Sequence, residues 1–402
     1  MHIKRLSAIA FGHFSIDVLN SSIALILTVL AGKFDLSISQ IGFAAMIYTF
    51  AASLTQPLFG LLADYLQGRW LGAISVAWTA FFFGVAAFAP TYPLLVLCLT
   101  IGALGSGAFH PVGMVNASAA GGAYPTTATS IFFLLGQSGL ALGPITAGLI
   151  LQNMDISMGM PIMALGALPA VIMMAVYLNA PISNESHGQA PAPVKQSPNN
   201  SARHASQATI IAIAFLLVIA LRATTMQSLV TLLPKYFADL GYQPAVYGAM
   251  IGIFSLAGAF GTFLGGYLGD RFDRRLILFF STLLSVPFCY GLVHVQGWLF
   301  YPLAAMAGGL LNVPHSILII MAQRFLPARQ GMMGGVVLGF MFASGAAMAW
   351  LASWFADWLN LQTVLTALAF FPLGAAMSTL LLPTAPKVTT LSASSPASAA
   401  AD

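Results

Sequence analysis

A carboxylate in the middle of a membrane-length apolar stretch is the group in this chain best placed to do chemistry. Asp17 lies within Leu6–Leu30 (LSAIAFGHFSIDVLNSSIALILTVL), with His13 four residues before it and Asn20 three after. On a helix these three positions share one face. A charged carboxylate at bilayer depth costs about 3 kcal/mol on insertion scales. Asp17 therefore needs a wet cavity, a charged partner or, on the plainer reading, a hydrogen bond to a neighbouring helix. Arg222 is the other charged side chain deep in an apolar run, near the centre of Thr209–Leu233. A long basic side chain can snorkel to an interface, but a central position argues for a functional role. Burial and a nearby cation act oppositely on a carboxyl group. Apposition of Asp17 and Arg222 would then tie proton affinity to conformation, as coupling requires.

Histidines and amides in apolar runs extend this set. His110 follows Ser106 by one turn and precedes Pro111; His315 follows Gly308 and Asn312 on one face, beside Pro314. Each proline removes a backbone hydrogen bond and can turn carbonyls toward a cavity. Near neutral pH an imidazole can donate, accept or take up a proton, which suits substrate contact or relay. The alternative is a neutral histidine bonded across a helix pair. His13 can reach Asp17 directly at this spacing and tune it. Asn20, Gln137, Gln227 and Asn312 are either interhelical glue or pocket residues, with Gln137 the foremost candidate for substrate. Seven histidines are scattered, and His13 with Asp17 offers too few ligands for a metal site. There is no phosphate-binding glycine loop. No cofactor and no metal are expected. Cys98 and Cys289 both lie in apolar runs and should pack as small hydrophobes.

The elements that must position these residues are apolar helices. Of 402 residues, 59% are hydrophobic and 6% charged, and mean hydropathy is +0.89. A soluble domain carries about 25% charged residues, so this is a polytopic membrane protein. The basic pI near 9.1 reflects bases in loops and does not point to nucleic acid. Apolar runs fall at 7–31, 41–63, 70–89, 93–117, 127–152 and 160–179, then at 209–233, 245–268, 276–295, 298–322, 331–355 and 361–382. The expected fold is all-α and integral to the membrane, with twelve transmembrane helices in two pseudo-symmetric six-helix bundles. These would span 1–179 and 209–382, joined by a Pro/Ser/Asn-rich cytoplasmic linker at 180–208 and followed by a disordered cytoplasmic tail at 383–402. Lys4 and Arg5 precede an apolar run too long for a signal peptide, which reads as a retained first helix. Eleven bases fall on the terminal side of this topology, against Lys33 and Lys235 opposite. That bias places both termini in the cytoplasm and the chain in the inner (plasma) membrane.

The two halves repeat one another. Gly60, Asp64 and Arg69 after the second run correspond to Gly266, Asp270, Arg271, Arg274 and Arg275 after the eighth, and in near register Asp17 matches Arg222 and His110 matches His315. A parallel six-helix repeat with polar exceptions in register indicates a duplicated transporter. An interfacial carboxylate such as Asp64 or Asp270 can sit on a neighbouring helix N-terminus and pair with Arg69 or Arg271, as an inner gate would; plain interfacial anchoring is the alternative.

On these residues the chain resembles the major facilitator superfamily over essentially its whole length. The two loop stretches match the motif that family carries between helices 2–3 and 8–9. Tyr65 and Trp70 stand where bases are usual, which leaves the N-terminal copy weaker. Gly139, Gly143, Pro144 and Gly148 resemble the glycine–proline motif of its proton-coupled exporters. His13, Asp17, Ser106–Pro111, Gln137 and Arg222 are similar to the fosmidomycin-resistance group of efflux proteins.

The resemblance and the residues together lead to one expected function. This is a proton-coupled secondary transporter, not an enzyme, exporting a small organic compound by alternating access. A basic, histidine-lined cavity points to anionic or zwitterionic cargo, and the resemblance agrees, implying an anionic or antimicrobial compound. Asp17 and His13 would handle the proton, while Arg222, His110, His315, Gln137, Asn20, Asn312 and Gln227 would contact substrate. Gly139, Gly143, Pro144 and Gly148 would form a helix-packing surface. Expected partners are a small-molecule substrate, protons and the lipid bilayer, with no nucleic acid, and the expected state is a monomer. The rivals are a proton-coupled importer, an intramembrane enzyme using Asp17 and His110, and a transporter-like sensor without flux.

Overall fold

The computed structural model describes residues 1–66, 70–178, 202–325 and 330–383. Every regular element among them is helical, because membrane-depth backbone must satisfy its own polar groups. The helices are α1 (Ile3–Phe34), α2 (Ile38–Ser53), α3 (Gln56–Leu66), α4 (Leu71–Ala86), α5 (Tyr92–Ala120), α6 (Pro125–Asn153), α7 (Ile156–Leu165) and α8 (Leu168–Tyr177). After 179–201 come α9 (Ala202–Asp239), α10 (Pro244–Arg271), α11 (Arg274–His294), α12 (Phe300–Asn312), α13 (Pro314–Phe325), α14 (Gln330–Leu359), α15 (Leu361–Leu368) and α16 (Phe371–Thr379). Among the described residues eleven stretches are long and apolar enough to cross a membrane, four of them joining α2–α3, α7–α8, α12–α13 and α15–α16; α4 is a shorter apolar helix. The stretch holding α12 and α13 begins with one turn of 3₁₀ helix at Gly297–Leu299. Most of the 180–208 linker, the tail beyond 383 and Arg69 lie outside the described residues.

Prolines mark the breaks unevenly. The α2/α3 break falls just before Pro57, and the α12/α13 break falls just before Pro314. In contrast, α5 runs unbroken through Pro111 and α6 through Pro144. Large apolar side chains such as Phe263 and Trp358 are 76% and 74% exposed, an outward-facing apolar surface suited to lipid. Cys98 and Cys289 are both buried and free.

Asp17 sits on α1, which packs against α5, α6 and α8 and touches α9 of the other half. The halves also meet through α6 against α10 and α2 against α14. These contacts tighten at the end of the molecule that carries the turns at 35–37 and 240–243. There a methyl group on Gly148 would lie 2.5 Å from the Pro244 carbonyl oxygen, and one on Gly248 would overlap the Pro144 carbonyl. Backbones can approach this closely only where side chains are missing. At the same end Asp357 of α14 accepts backbone hydrogen bonds from Ile38 (2.8 Å) and Ser39 (3.0 Å) at the start of α2. The Gln152 side chain of α6 accepts one from Ala245 of α10 at 3.3 Å. Polar side chains thus bond the first turn of a helix in the opposite half at two places.

Candidate proton and substrate site

The three residues expected on one face of α1 do converge, and α5 completes them. Asp17 is 5% exposed. Its Oδ2 faces His13 Nε2 at 3.2 Å, its Oδ1 faces His110 Nε2 at 3.5 Å, and Asn20 Nδ2 donates to Oδ1 at 3.0 Å. Asn20 Nδ2 also donates to Ser106 Oγ (2.9 Å), and Tyr48 Oη donates to Asn20 Oδ1 at 2.5 Å. One carboxylate therefore organises side chains from α1 and α5, with α2 at the edge.

Both imidazoles are oriented by backbone carbonyls. His13 Nδ1 meets the Phe132 carbonyl at 2.8 Å, and His110 Nδ1 meets the Ser106 carbonyl at 2.7 Å. A carbonyl only accepts, so each Nδ1 carries its hydrogen. Each Nε2 then presents either a lone pair or one further proton to the carboxylate. A lone pair against a carboxylate oxygen repels, so a proton belongs in each Nε2···O contact for that contact to attract. The cluster is thus built to hold mobile protons between one acid and two imidazoles, a strongly coupled set.

Packing fixes this arrangement. The His13 ring stacks on Phe132 with centroids 4.0 Å apart and meets the His110 ring edge-on at 5.1 Å. Gly136 lies directly against the His13 ring, and Gly139 lets α6 approach the backbone of Phe14 and the Cβ of Asp17. Gly143 faces Val18 and Ser21. These glycines hold α6 on α1 behind the proton cluster, whereas Gly148 serves the contact with α10.

His110 adds the third ligand-type atom that His13 and Asp17 alone lacked, and the three groups lie within 4.8 Å of one another. The two imidazoles address different carboxylate oxygens, and Asn20 occupies one of these oxygens as well. Asn20 donates a hydrogen bond to the carboxylate, and the two imidazole contacts at 3.2 and 3.5 Å complete its surroundings.

The expected apposition of Asp17 and Arg222 is not formed. Arg222, 2% exposed on α9, donates from Nη1 to the Leu311 carbonyl at 2.7 Å. Its other neighbours are the thioethers of Met226 (3.9 Å from Nη1) and Met341 (3.8 Å from Nη2), and its Nε has no partner. No carboxylate among the described residues pairs with it. Asp17 instead finds its partners on α1 and α5.

The remaining candidates divide. His315 is half-buried without a hydrogen-bond partner among the described residues, and lies within electrostatic reach of Arg222. Gln137 is half-buried on α6, and Gln227 bonds Thr231 on its own helix at 3.3 Å. Asn312 is buried, spends its amide on the Gly308 carbonyl (2.9 Å) and fits against Gly258, as a packing residue does. Near the end of α10, Asp270 meets Arg274 at the start of α11 at 3.8 Å, while Arg271 lies over the Tyr267 ring at 3.6 Å. The expected Asp270–Arg271 pair is therefore replaced. Gly266 faces Ser316, and Asp273 caps Arg275 at the start of α11 (2.8 Å). Gly60 faces Pro111, and the Asp64 side chain lies outside what is described.

Tyr48 is the site residue that the apolar pattern concealed. Its one signal was a hydroxyl in the middle of an apolar run. Tyr48→Phe leaves the Asn20 carbonyl unbonded at a cost of about 1 kcal/mol. It should slow pH-gradient-driven transport roughly fivefold without unfolding the chain, measured in energised membrane vesicles.

Comparison with known proteins matches nearly the whole chain to one family. The family model of the major facilitator superfamily matches residues 9–236 and 215–400. The fosmidomycin resistance protein of Escherichia coli K12 is 27% identical over 388 residues, covering 94% of this chain and 92% of that protein. An uncharacterized MFS-type transporter, YfnC, of Bacillus subtilis 168 is 29% identical over 364 residues, covering 90% and 88%. Among solved structures, an inward-facing, unoccupied bacterial homologue of the human lysosomal transporter Spinster superposes with a TM-score of 0.75 at 12% identity, covering 94% and 95%. The D-xylose–proton symporter gives 0.65 at 15% identity, covering 95% and 98%. These two structures share the fold.

Proposed function

Because this chain belongs to the major facilitator superfamily, we propose that it is a proton-coupled secondary transporter that exports a small organic compound. It does so as a monomer in the inner membrane, with twelve spans and both termini in the cytoplasm. The observation that carries the reading is the convergence of His13 and His110 on Asp17 at membrane depth. A carboxylate bracketed by two carbonyl-oriented imidazoles can take up and release a proton with little movement of its neighbours. The short apolar helix α4 counts as the twelfth span, and the two six-helix bundles rock about the α6–α10 and α2–α14 contacts. The fosmidomycin resistance relative favours efflux, and the bias of bases in loops supports the orientation.

In that orientation the end held by Asp357 and Gln152 is extracellular, and the two polar contacts latch the outer gate. A carboxylate on a helix N-terminus contributes up to about 1 kcal/mol at an exposed site. Asp357→Ala should therefore shift the population toward outward opening about fivefold. Distances between spin labels at Lys33→Cys and Leu240→Cys measure this, with a longer component growing in the variant.

The function itself is tested with right-side-out and inverted vesicles carrying an imposed pH gradient and a panel of compounds. Extrusion that follows the proton gradient supports the exporter. Gradient-driven accumulation supports the importer, and product formation without flux supports an enzyme.

A further inference from the structure

The two halves carry the same constellation with opposite charge. Asp17 and Arg222 stand 205 residues apart, as do His110 and His315, Ser106 and Leu311, and Gly136 and Met341. In the first half the Ser106 carbonyl holds His110, and Gly136 makes room for the ring beside Asp17. In the second half the corresponding carbonyl, Leu311, holds Arg222, and the residue in the place of Gly136 is Met341, whose sulfur lies against the guanidinium. The first half surrounds its charge with one amide donor and two imidazoles. The second leaves a buried guanidinium with one strong acceptor, two thioethers and an orphaned Nε–H.

A buried cation without a counter-ion is costly, and thioethers are weak acceptors. The planar fork of an arginine matches the paired oxygens of a carboxylate or phosphonate. Leu311 sits at the α12/α13 break, where Pro314 supplies no N–H to the helix. His315, partly exposed and without a hydrogen-bond partner among the described residues, lies within electrostatic reach of this fork. Met226 and Met341 are unbranched and flexible, so they can swing aside for an entering group.

We propose that Arg222, with His315 beside it, binds the oxyanion group of the cargo, so that the transported compounds are small organic anions. Resting on the transporter reading above, this assigns cargo to the second half and the proton to the first. An anion at Arg222 supplies the missing acceptors, and the proton cluster across the molecule stays intact while it binds.

The test uses full-length protein in nanodiscs, titrated with benzoate, phenylphosphonate and benzyltrimethylammonium, three ions sharing one aromatic body. Melting is followed by tryptophan fluorescence. The two anions should raise the melting temperature saturably and the cation should not. Arg222→Gln should erase the response, and Arg222→Lys, which keeps the charge and loses the fork, should weaken the affinity at least tenfold. If Arg222→Gln does not fold, Arg222→Lys carries the test. Wild-type affinity in either variant overturns the proposal, as does stabilisation by the cation, or by chloride or inorganic phosphate with no response to the organic anions. Counterflow of phenylphosphonate in proteoliposomes needs no proton gradient. Intact counterflow without gradient-driven movement supports the anion site and faults the proton assignment alone. Gradient-driven movement of benzyltrimethylammonium in place of phenylphosphonate overturns the anion site and leaves the proton assignment standing.

Discussion

Asp17→Asn is expected to reduce pH-gradient-driven transport to background, at least a hundredfold, while exchange of cargo at equal pH survives within severalfold. The asparagine side chain has nearly the same shape as aspartate and keeps an acceptor for Asn20. Its amide can donate to one of the two Nε2 atoms that now face Oδ1 and Oδ2. The packing around α1 therefore remains, and with it the rocking of the two halves. The group that takes up and releases a proton is gone. Removing a charged partner leaves hydrogen-bonding groups unmatched at about 1.5–3 kcal/mol each, so some loss of thermal stability should accompany the effect. His13→Gln and His110→Gln should each be milder than Asp17→Asn, because each removes one of two imidazole contacts on the carboxylate. Flux in energised vesicles, compared with counterflow in proteoliposomes, separates loss of coupling from loss of the carrier.

Gly136→Ala should have the second largest effect, although it adds only a methyl group. That methyl would overlap the His13 ring, at 2.5 Å from Nε2 and 2.6 Å from Nδ1. The ring is already held by stacking on Phe132, with centroids 4.0 Å apart, and by the contact of its Nδ1 with the Phe132 carbonyl. Either α6 moves off α1 or the imidazole leaves both the Phe132 carbonyl and Asp17. Overpacking of this kind costs about 1–3 kcal/mol, and coupled transport should fall more than tenfold. Gly339→Ala is the control: no atom lies within 4 Å of a methyl group there, so expression, melting and transport should match the wild type. Melting in nanodiscs and vesicle flux on the same preparations check both.

The contrast between these glycines shows how far a local pattern of residues reaches and where it stops. Apolar runs predict the spans because bilayer thickness sets their length, and the period of a helix puts His13, Asp17 and Asn20 on one face. That His110 joins them depends on α5 packing beside α1, which no local pattern encodes. Tyr48 was hidden for the same reason: its hydroxyl matters only because α2 brings it to Asn20. The expected Asp17–Arg222 pair came from register in the duplication. Register aligns equivalent positions in two halves without making them touch: Asp17 finds its partners on its own side, and Arg222 is left with the Leu311 carbonyl and two thioethers. Asp270 meets Arg274 because the chain breaks at 272–273 and brings the first residue of α11 beside it, while Arg271 lies over the Tyr267 ring. The glycines of α6 were readable as a packing surface, but which helix each one admits required the fold. Gly136, Gly139 and Gly143 admit α1, and Gly148 admits α10.

Whether Asp17 carries the coupled proton is read most directly by counting protons. Proteoliposomes holding an internal pH dye are given a concentration gradient of an exported compound and no initial pH difference. Wild-type protein should move protons against the compound in a fixed ratio, and Asp17→Asn should move the compound with no proton flux. An unchanged ratio of protons to compound in Asp17→Asn would contradict the assignment of the proton to this cluster.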